Sequence, residues 1–226
     1  MKIASIKIGK RDKEKLVIRT EDGTYISARI DDAYNRQECE EKLDKFFKDD
    51  CFNILFAGGI GAERHTYDYI RGVSDAKVKC NLVIAGSASE LAVEQYKALV
   101  EELGMENVCY VGMLTRAQLR YCMQKSQASV VVFDKKSYNT IYCASGKCYE
   151  SLFEGVPILA SENPPLKRLC EEHGVGVSDD NFARGIETLY ENYEEACAAV
   201  RAYVSDLAYE QRVDTLAHEI ERAVCI

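Results

Sequence analysis

From residue 52 onward, short apolar runs alternate with amphipathic stretches. The runs are NILFAG (53–58), NLVIAG (81–86), NVCYVG (107–112), ASVVVF (128–133) and VPILAS (156–161). Each is near-continuously apolar, the pattern of a strand buried on both faces in a parallel sheet covered by helices. GVGV (174–177) is long enough for a short sixth strand. The first three runs end in Gly, where a strand-to-helix turn needs a backbone free of Cβ.

The intervening stretches carry helix start and stop signals. SASELAVEQYKALVEELG (87–104) opens on Ser87 or Ser89 as N-cap and closes on Gly104, and TRAQLRYCMQKS (115–126) opens on Thr115. KCYESLFEG (147–155) stops at Gly155, and PPLKRLCEEHG (164–174) has two prolines at its start and Gly174 at its end. This is the asymmetry that helix ends favour. The tail from 180 to 224 reads as two or three more helices, with Leu207, Val213, Leu216, Ile220 and Val224 near one face of the last. Strands alternating with helices predict an α/β fold, a Rossmann-like doubly wound parallel sheet with right-handed crossovers.

The first fifty residues break the pattern. EKLVIRT-EDG-TYISARI (14–30) reads as a β-hairpin about Asp22-Gly23, and RQECEEKLDKFFKDD (36–50) as a charged, solvated helix. The expected organisation is therefore an extension over 1–50 and a sheet domain over 51–226. An accessory hairpin, the remnant of a lost domain and a connector all remain open for the extension.

Composition narrows the function classes. A formal net charge of -8 over 226 residues argues against a general nucleic-acid binder, which would show a basic surplus. It leaves room for one anionic ligand held by local N–H groups. The ten cysteines include no CxxC pair, and several sit in apolar runs. They read as free thiols of a reducing cytoplasm, with no metal site. No apolar run is long enough for a signal peptide core or a membrane span.

In an open parallel sheet, ligands bind beyond the carboxyl ends of the strands, at a topological switch point. Two loops qualify. AGGIGAERH (57–65) follows the first run; Gly58, Gly59 and Gly61 would let the backbone approach a ligand and turn N–H groups outward, and Arg64 would add a contact to a phosphate. A tight turn without ligand is the alternative. The dinucleotide fingerprint GxGxxG is absent, because Gly59, Gly61 and Arg64 occupy its positions, and Gly86 and Ser87 stand where a ribose-binding acid would follow the second strand. His65 would touch a phosphate or simply start a helix, and Asp134 would bond a sugar or cap its loop. The second loop leads to Ser145-Gly146-Lys147 at a helix start, where free N–H groups and the helix dipole favour an anion. Glu150 shares the face of Gly146 and Lys147 at spacings of four and three. A carboxylate there accepts two hydrogen bonds from a ribose diol, or forms an exposed salt bridge.

The block SGKCYESLFEGVPILA (145–160) resembles the stretch P-x-K-x-x-E-y-m-A-x-G-x-P-V-I-A in the carboxyl-terminal domain of GT-B glycosyltransferases of the family-4, or group 1, type. Lys147, Glu150, Gly155, Pro157 and Ala160 fall in register. ILFAGGIGAER (54–64), NVCYVGMLTRAQLRYCMQKSQASVVVF (107–133) and SENPPLKRLCEEHGVGV (161–177) resemble further family segments in the same order. The resemblance implies one half of a GT-B fold, the donor-binding domain of a retaining hexosyltransferase acting on a glycan or lipid-linked acceptor in polysaccharide biosynthesis. It implies that Glu150 binds the ribose, and that Lys147 and Arg64 face the diphosphate of a UDP- or GDP-sugar. N–H groups of Gly59, Ile60, Gly61 and Gly146 would assist. Met113, Leu114, Thr115 and Leu119 would form the wall under the base, with Tyr142 and Cys143 approaching the sugar and Ser145 standing at the family's usual Pro. No cofactor or metal is implied, since helix dipoles and basic side chains stabilise the leaving diphosphate.

The chain departs from the family in two ways. Tyr142 stands where many members carry a second Glu eight residues before the ribose Glu. Fifty residues are also too few for the acceptor half. The expectation is a chain that binds donor and transfers it only with an acceptor-binding domain, in cis or in trans. The alternative is a non-catalytic donor-binding subunit of a split enzyme. Any membrane association would come through that partner.

Overall fold

The computed structural model describes residues 3–8, 15–20, 25–29, 36–143 and 145–207. The chain divides into two compact units, residues 1–34 with 205–226, and residues 35–204.

In the first unit, β1 (Ile3–Ile8), β2 (Lys15–Thr20) and β3 (Tyr25–Arg29) form an antiparallel sheet in that order. The β2–β3 register pairs Arg19 with Tyr25 and Ile18 with Ile26, the pairing expected of a hairpin about residues 22 and 23. Strand β1 was not foreseen. The apolar stripe expected at 213–224 lies outside the described residues.

The second unit begins with α1 (Arg36–Leu43) and a 3-10 turn (Asp44–Phe46), followed by β4 (Phe52–Ala57), α2 (Thr66–Asp75), β5 (Cys80–Ala85), α3 (Glu90–Glu102), β6 (Val108–Gly112) and α4 (Arg116–Lys125). It continues through β7 (Ala128–Val131), α5 (Tyr138–Ile141), α6 (Gly146–Phe153), β8 (Ile158–Ala160), α7 (Pro164–His173), β9 (Gly176–Ser178), α8 (Phe182–Glu191) and α9 (Tyr193–Asp206). The strands form one parallel sheet in the order β6-β5-β4-β7-β8-β9. All six expected strands are present.

Every residue of β4 and β5 is buried, as continuous apolar runs require. Alternation divides the side chains between two cores. Leu159 joins Tyr69, Ile70, Leu99 and Ile186 under α2, α3 and α8. Ile158 and Ala160 join Cys148, Leu152, Leu166 and Cys170 under α6 and α7. Each large aliphatic buried this way contributes roughly 1.5–3 kcal/mol. Thr115 closes a full capping box with Gln118 at the start of α4, and Ser89 caps α3.

Helix α1 corrects one expectation. It belongs to the sheet unit rather than to a solvated extension, because Cys39 and Leu43, four residues apart, are buried. Behind it, Tyr121 donates to Asp44 Oδ1 at 2.9 Å, and Asn81 Nδ2 donates to the Phe46 carbonyl at 2.9 Å. Two apolar positions in a charged run are enough to seat a helix.

Neighbouring strands β4 and β7 send their connections in opposite directions, β4 through α2 toward β5 and β7 through α6 toward β8. That divergence opens a crevice above their carboxyl ends.

Candidate functional site

The glycine loop borders this crevice, but its backbone is already engaged. Gly58 and Gly59 N–H both donate to the Ala85 carbonyl at 2.9 Å, and Ile60 N–H donates to the Ser87 carbonyl at 3.1 Å. Gly61 N–H donates to Thr66 Oγ1 at 3.3 Å, and that hydroxyl donates to the Gly59 carbonyl. The outward-turned N–H groups expected of Gly59, Ile60 and Gly61 are thus turned inward, and the Ile60 side chain lies in the core. The glycines serve loop-to-loop packing. Gly59 has φ 84°, and a Cβ on it would collide with the Ser87 carbonyl oxygen; one on Gly86 would collide with the Gly59 nitrogen. Ala62 and Arg64 of the loop are exposed.

The loop after β7 is held by a small buried polar network. Ser161 Oγ donates to Asn163 Oδ1 at 2.6 Å, and Asn163 Nδ2 donates to the Thr140 carbonyl at 3.0 Å. Ser161 Oγ also accepts from Phe133 N–H at 3.0 Å. Nothing in the sequence pattern marked Ser161 or Asn163. Helix α5, seated on this network, presents Tyr138 and Tyr142 with nearly parallel rings, 6.4 Å between centroids. Tyr142 is exposed. Asp134 accepts from Lys136 N–H, so it caps its loop.

Helix α6 then starts at the crevice. Ser145 is buried and its hydroxyl accepts from Cys148 N–H at 3.3 Å. It caps the helix, and it also lines a cleft of about 190 Å³ among α6, α7 and α9 with Cys143, Tyr149, His173 and Tyr203. Gly146 and Lys147 are the first two helical positions, whose N–H groups lack an intrahelical acceptor. A Cβ on Gly146 would meet open space.

The Lys147 side chain crosses the switch point. It is half-buried, and its ammonium donates to the Ala57 carbonyl at the end of β4. Burial pushes this amine below the ordinary lysine value, the neighbouring Arg64 guanidinium pushes it further, and Glu150 opposes both. The structure thus brings Arg64, Lys147 and Glu150 together. Among the described residues, no carboxylate stands within ion-pair distance of Lys147 or Arg64. Glu150 is exposed and pairs with Arg116 at 3.5 Å. This links α6 to the first turn of α4, directly after Met113, Leu114 and Thr115. Leu114 is half-buried there and Met113 exposed. Arg116 was missed in the sequence; its position just inside the Thr115 cap was the available signal.

No group of His, Cys, Asp or Glu suited to a metal ion occurs among the described residues. No helix there is long and apolar enough to cross a membrane. The nine described cysteines are free thiols, and burial pushes those of Cys80, Cys122, Cys148 and Cys170 up to about 12.

No family model and no curated protein matches this sequence. Solved structures do match. Anabaena HepE, solved in complex with UDP and glucose, superposes with a TM-score of 0.60 at 16% identity, over 81% of this chain and 52% of HepE. Sucrose-phosphate synthase of Thermosynechococcus elongatus gives 0.58 at 16%, over 83% and 49%. The catalytic domain of Helicobacter pylori cholesterol-α-glucosyltransferase gives 0.55 at 18%, over 70% of this chain and 98% of that one. The fold is that of one half of a GT-B glycosyltransferase. The chain spans about half the length of the HepE and synthase chains it matches. In this chain the Lys147 ammonium reaches the Ala57 carbonyl at the end of β4, with Arg64 as its neighbour.

Proposed function

We propose that this chain binds the nucleoside diphosphate of a sugar donor, UDP- or GDP-linked, at the crevice between β4 and β7. Glycosyl transfer then takes place together with an acceptor-binding domain in cis or in trans. The observation that carries the reading is Lys147, a partly desolvated ammonium held beside a second cation at the start of a helix. Such a pair repels itself until an anion arrives. A diphosphate there neutralises both charges, and it gains from the helix dipole and from the N–H groups of Gly146 and Lys147. Because the site is partly shielded from water, each of these attractions is stronger than at an open surface. As the sugar leaves, negative charge grows on the diphosphate, so the same groups stabilise the transition state more than the bound donor. Glu150, held near α4 by its pair with Arg116, would accept from the ribose hydroxyls. The base would lie against residues 113–115. That HepE was solved with UDP bound supports the choice of ligand class.

A second reading, a donor-binding subunit without transfer chemistry, draws on Tyr142. An exposed tyrosine ring stands where many family members carry a carboxylate on the sugar side.

Calorimetry with UDP, GDP and ADP tests donor binding. One of the three is expected to bind at micromolar to millimolar concentration, with affinity lowered about tenfold by Glu150→Ala, about 1.4 kcal/mol. Absence of binding to all three at millimolar concentration, or full affinity in Glu150→Ala, overturns the reading. Supplying a candidate acceptor domain and following sugar release separates the two readings.

A further inference from the structure

At the end of β4 away from the crevice lies a groove of about 400 Å³, lined by Phe52, Tyr190 and Tyr193 and by Glu191, Glu194 and Glu195. Phe52 opens β4 and Ala57 closes it, so a rise of about 3.3 Å per residue puts the groove roughly 17 Å from the strand's carboxyl end. Phe52 is buried, while Tyr190 on α8 is 53% exposed. Both tyrosine rings stand nearly perpendicular to Phe52, at 83° and 88°, each with its centroid 5.5 Å away. A perpendicular pair covers at most one ring face, so at least one face of Tyr190 is left uncovered by Phe52. The face of an aromatic ring carries partial negative charge and attracts cations. The carboxylates point to the same class of partner. Glu194 and Glu195 lie in the first turn of α9, where the helix dipole favours them. Glu191 has no such local reason, since it is the last residue of α8, where the dipole disfavours an acid. All three are exposed, no Lys or Arg lines the groove, and none of the three carboxylates is ion-paired among the described residues.

We propose that this groove is a docking surface for a basic segment of a partner protein, which seats an arginine on the tyrosine rings and pairs it with the surrounding carboxylates. Arginine suits both parts of the groove. Its planar guanidinium stacks on an aromatic face, and its fork of N–H donors matches a carboxylate. Aromatic rings at the centre with polar groups around them are also the make-up of a protein interface. The formal net charge of -8 draws a basic partner toward the chain. Because the groove and the crevice lie at opposite ends of β4, the partner leaves the crevice open.

Calorimetric titration of an end-blocked tetra-arginine peptide into the full chain tests this. The wild type is expected to bind it at micromolar to millimolar concentration. Tyr190→Ala, folded as the wild type by circular dichroism, should bind about tenfold more weakly, and Tyr190→Phe, which keeps the ring, should bind as the wild type does. Glu191→Gln should weaken binding about two- to threefold. Absence of binding at millimolar concentration overturns the proposal. Full affinity in Tyr190→Ala overturns it too, since the acidic surface alone would then hold the peptide. A wild type that dimerises, binds no peptide and loses the dimer in Tyr190→Ala assigns the groove to a second copy of the chain and equally overturns it.

Discussion

Two segments flank the crevice, and they contribute in opposite ways. The loop 58–65 is rich in glycine and looks made for a phosphate, but Gly59 and the N–H groups of residues 58–60 serve contacts with the 85–87 backbone. The start of α6 has a single glycine in open space and one lysine, and it delivers charge into the crevice through Lys147. Glycine in a loop reports that something approaches the backbone closely. In this molecule that something is a neighbouring loop on one side and unfilled space on the other.

The sharpest test of this contrast is a matched pair of substitutions. Gly59→Ala is expected to cost about 3 kcal/mol or more of stability, because it combines positive φ with a collision against the Ser87 carbonyl. Gly146→Ala should leave stability unchanged or raise it by about 0.5 kcal/mol, since its Cβ meets nothing. Denaturant unfolding of the two variants reads the difference. Similar losses in both would erase the contrast.

Lys147→Met comes next in size. UDP affinity is expected to fall about a hundredfold, about 2.7 kcal/mol, while stability at neutral pH holds or rises. The sign follows from the depressed amine. The unfolded chain keeps its proton up to about 10.5, and the folded chain gives it up at lower pH. In that window the unfolded state binds more protons, so stability rises with pH. Below it, the buried charge is a burden at every pH. The wild type should therefore gain stability between its lowered value and 10.5 relative to Lys147→Met, which denaturation at a series of alkaline pH values would show. A flat difference between the two proteins would contradict the burial.

Arg64→Gln should weaken UDP binding about tenfold, since its guanidinium stays exposed and screened. It should also lift the Lys147 amine back toward its ordinary value. Arg116→Ala is the mildest change. Its pair with Glu150 is exposed, so stability should move by less than about 0.5 kcal/mol.

The contrast also explains what the sequence could and could not reveal. Strand runs, caps and helix stops were legible because burial on both faces and cap chemistry act locally, as at β4, β5, Ser89 and Thr115. Lys147, Arg64 and Glu150 stood out as charged residue types beside a strand end and a helix start, and the structure brings Arg64 and Glu150 near Lys147. The inward turn of the Gly59 and Ile60 N–H groups was not, because their acceptors lie more than twenty residues away, on Ala85 and Ser87. Burial of α1 was hidden by its charge, carried as it is by Cys39 and Leu43 alone. The Ser161–Asn163 network depends on packing that no local pattern encodes.

Titration of UDP and of uridine into the wild type and Lys147→Met tests most directly whether one half-buried lysine supplies the main charge of the site. The account predicts that the wild type binds UDP far more tightly than uridine, and that Lys147→Met, equally folded, loses most of that preference. A folded Lys147→Met variant that still prefers UDP as strongly as the wild type would contradict it.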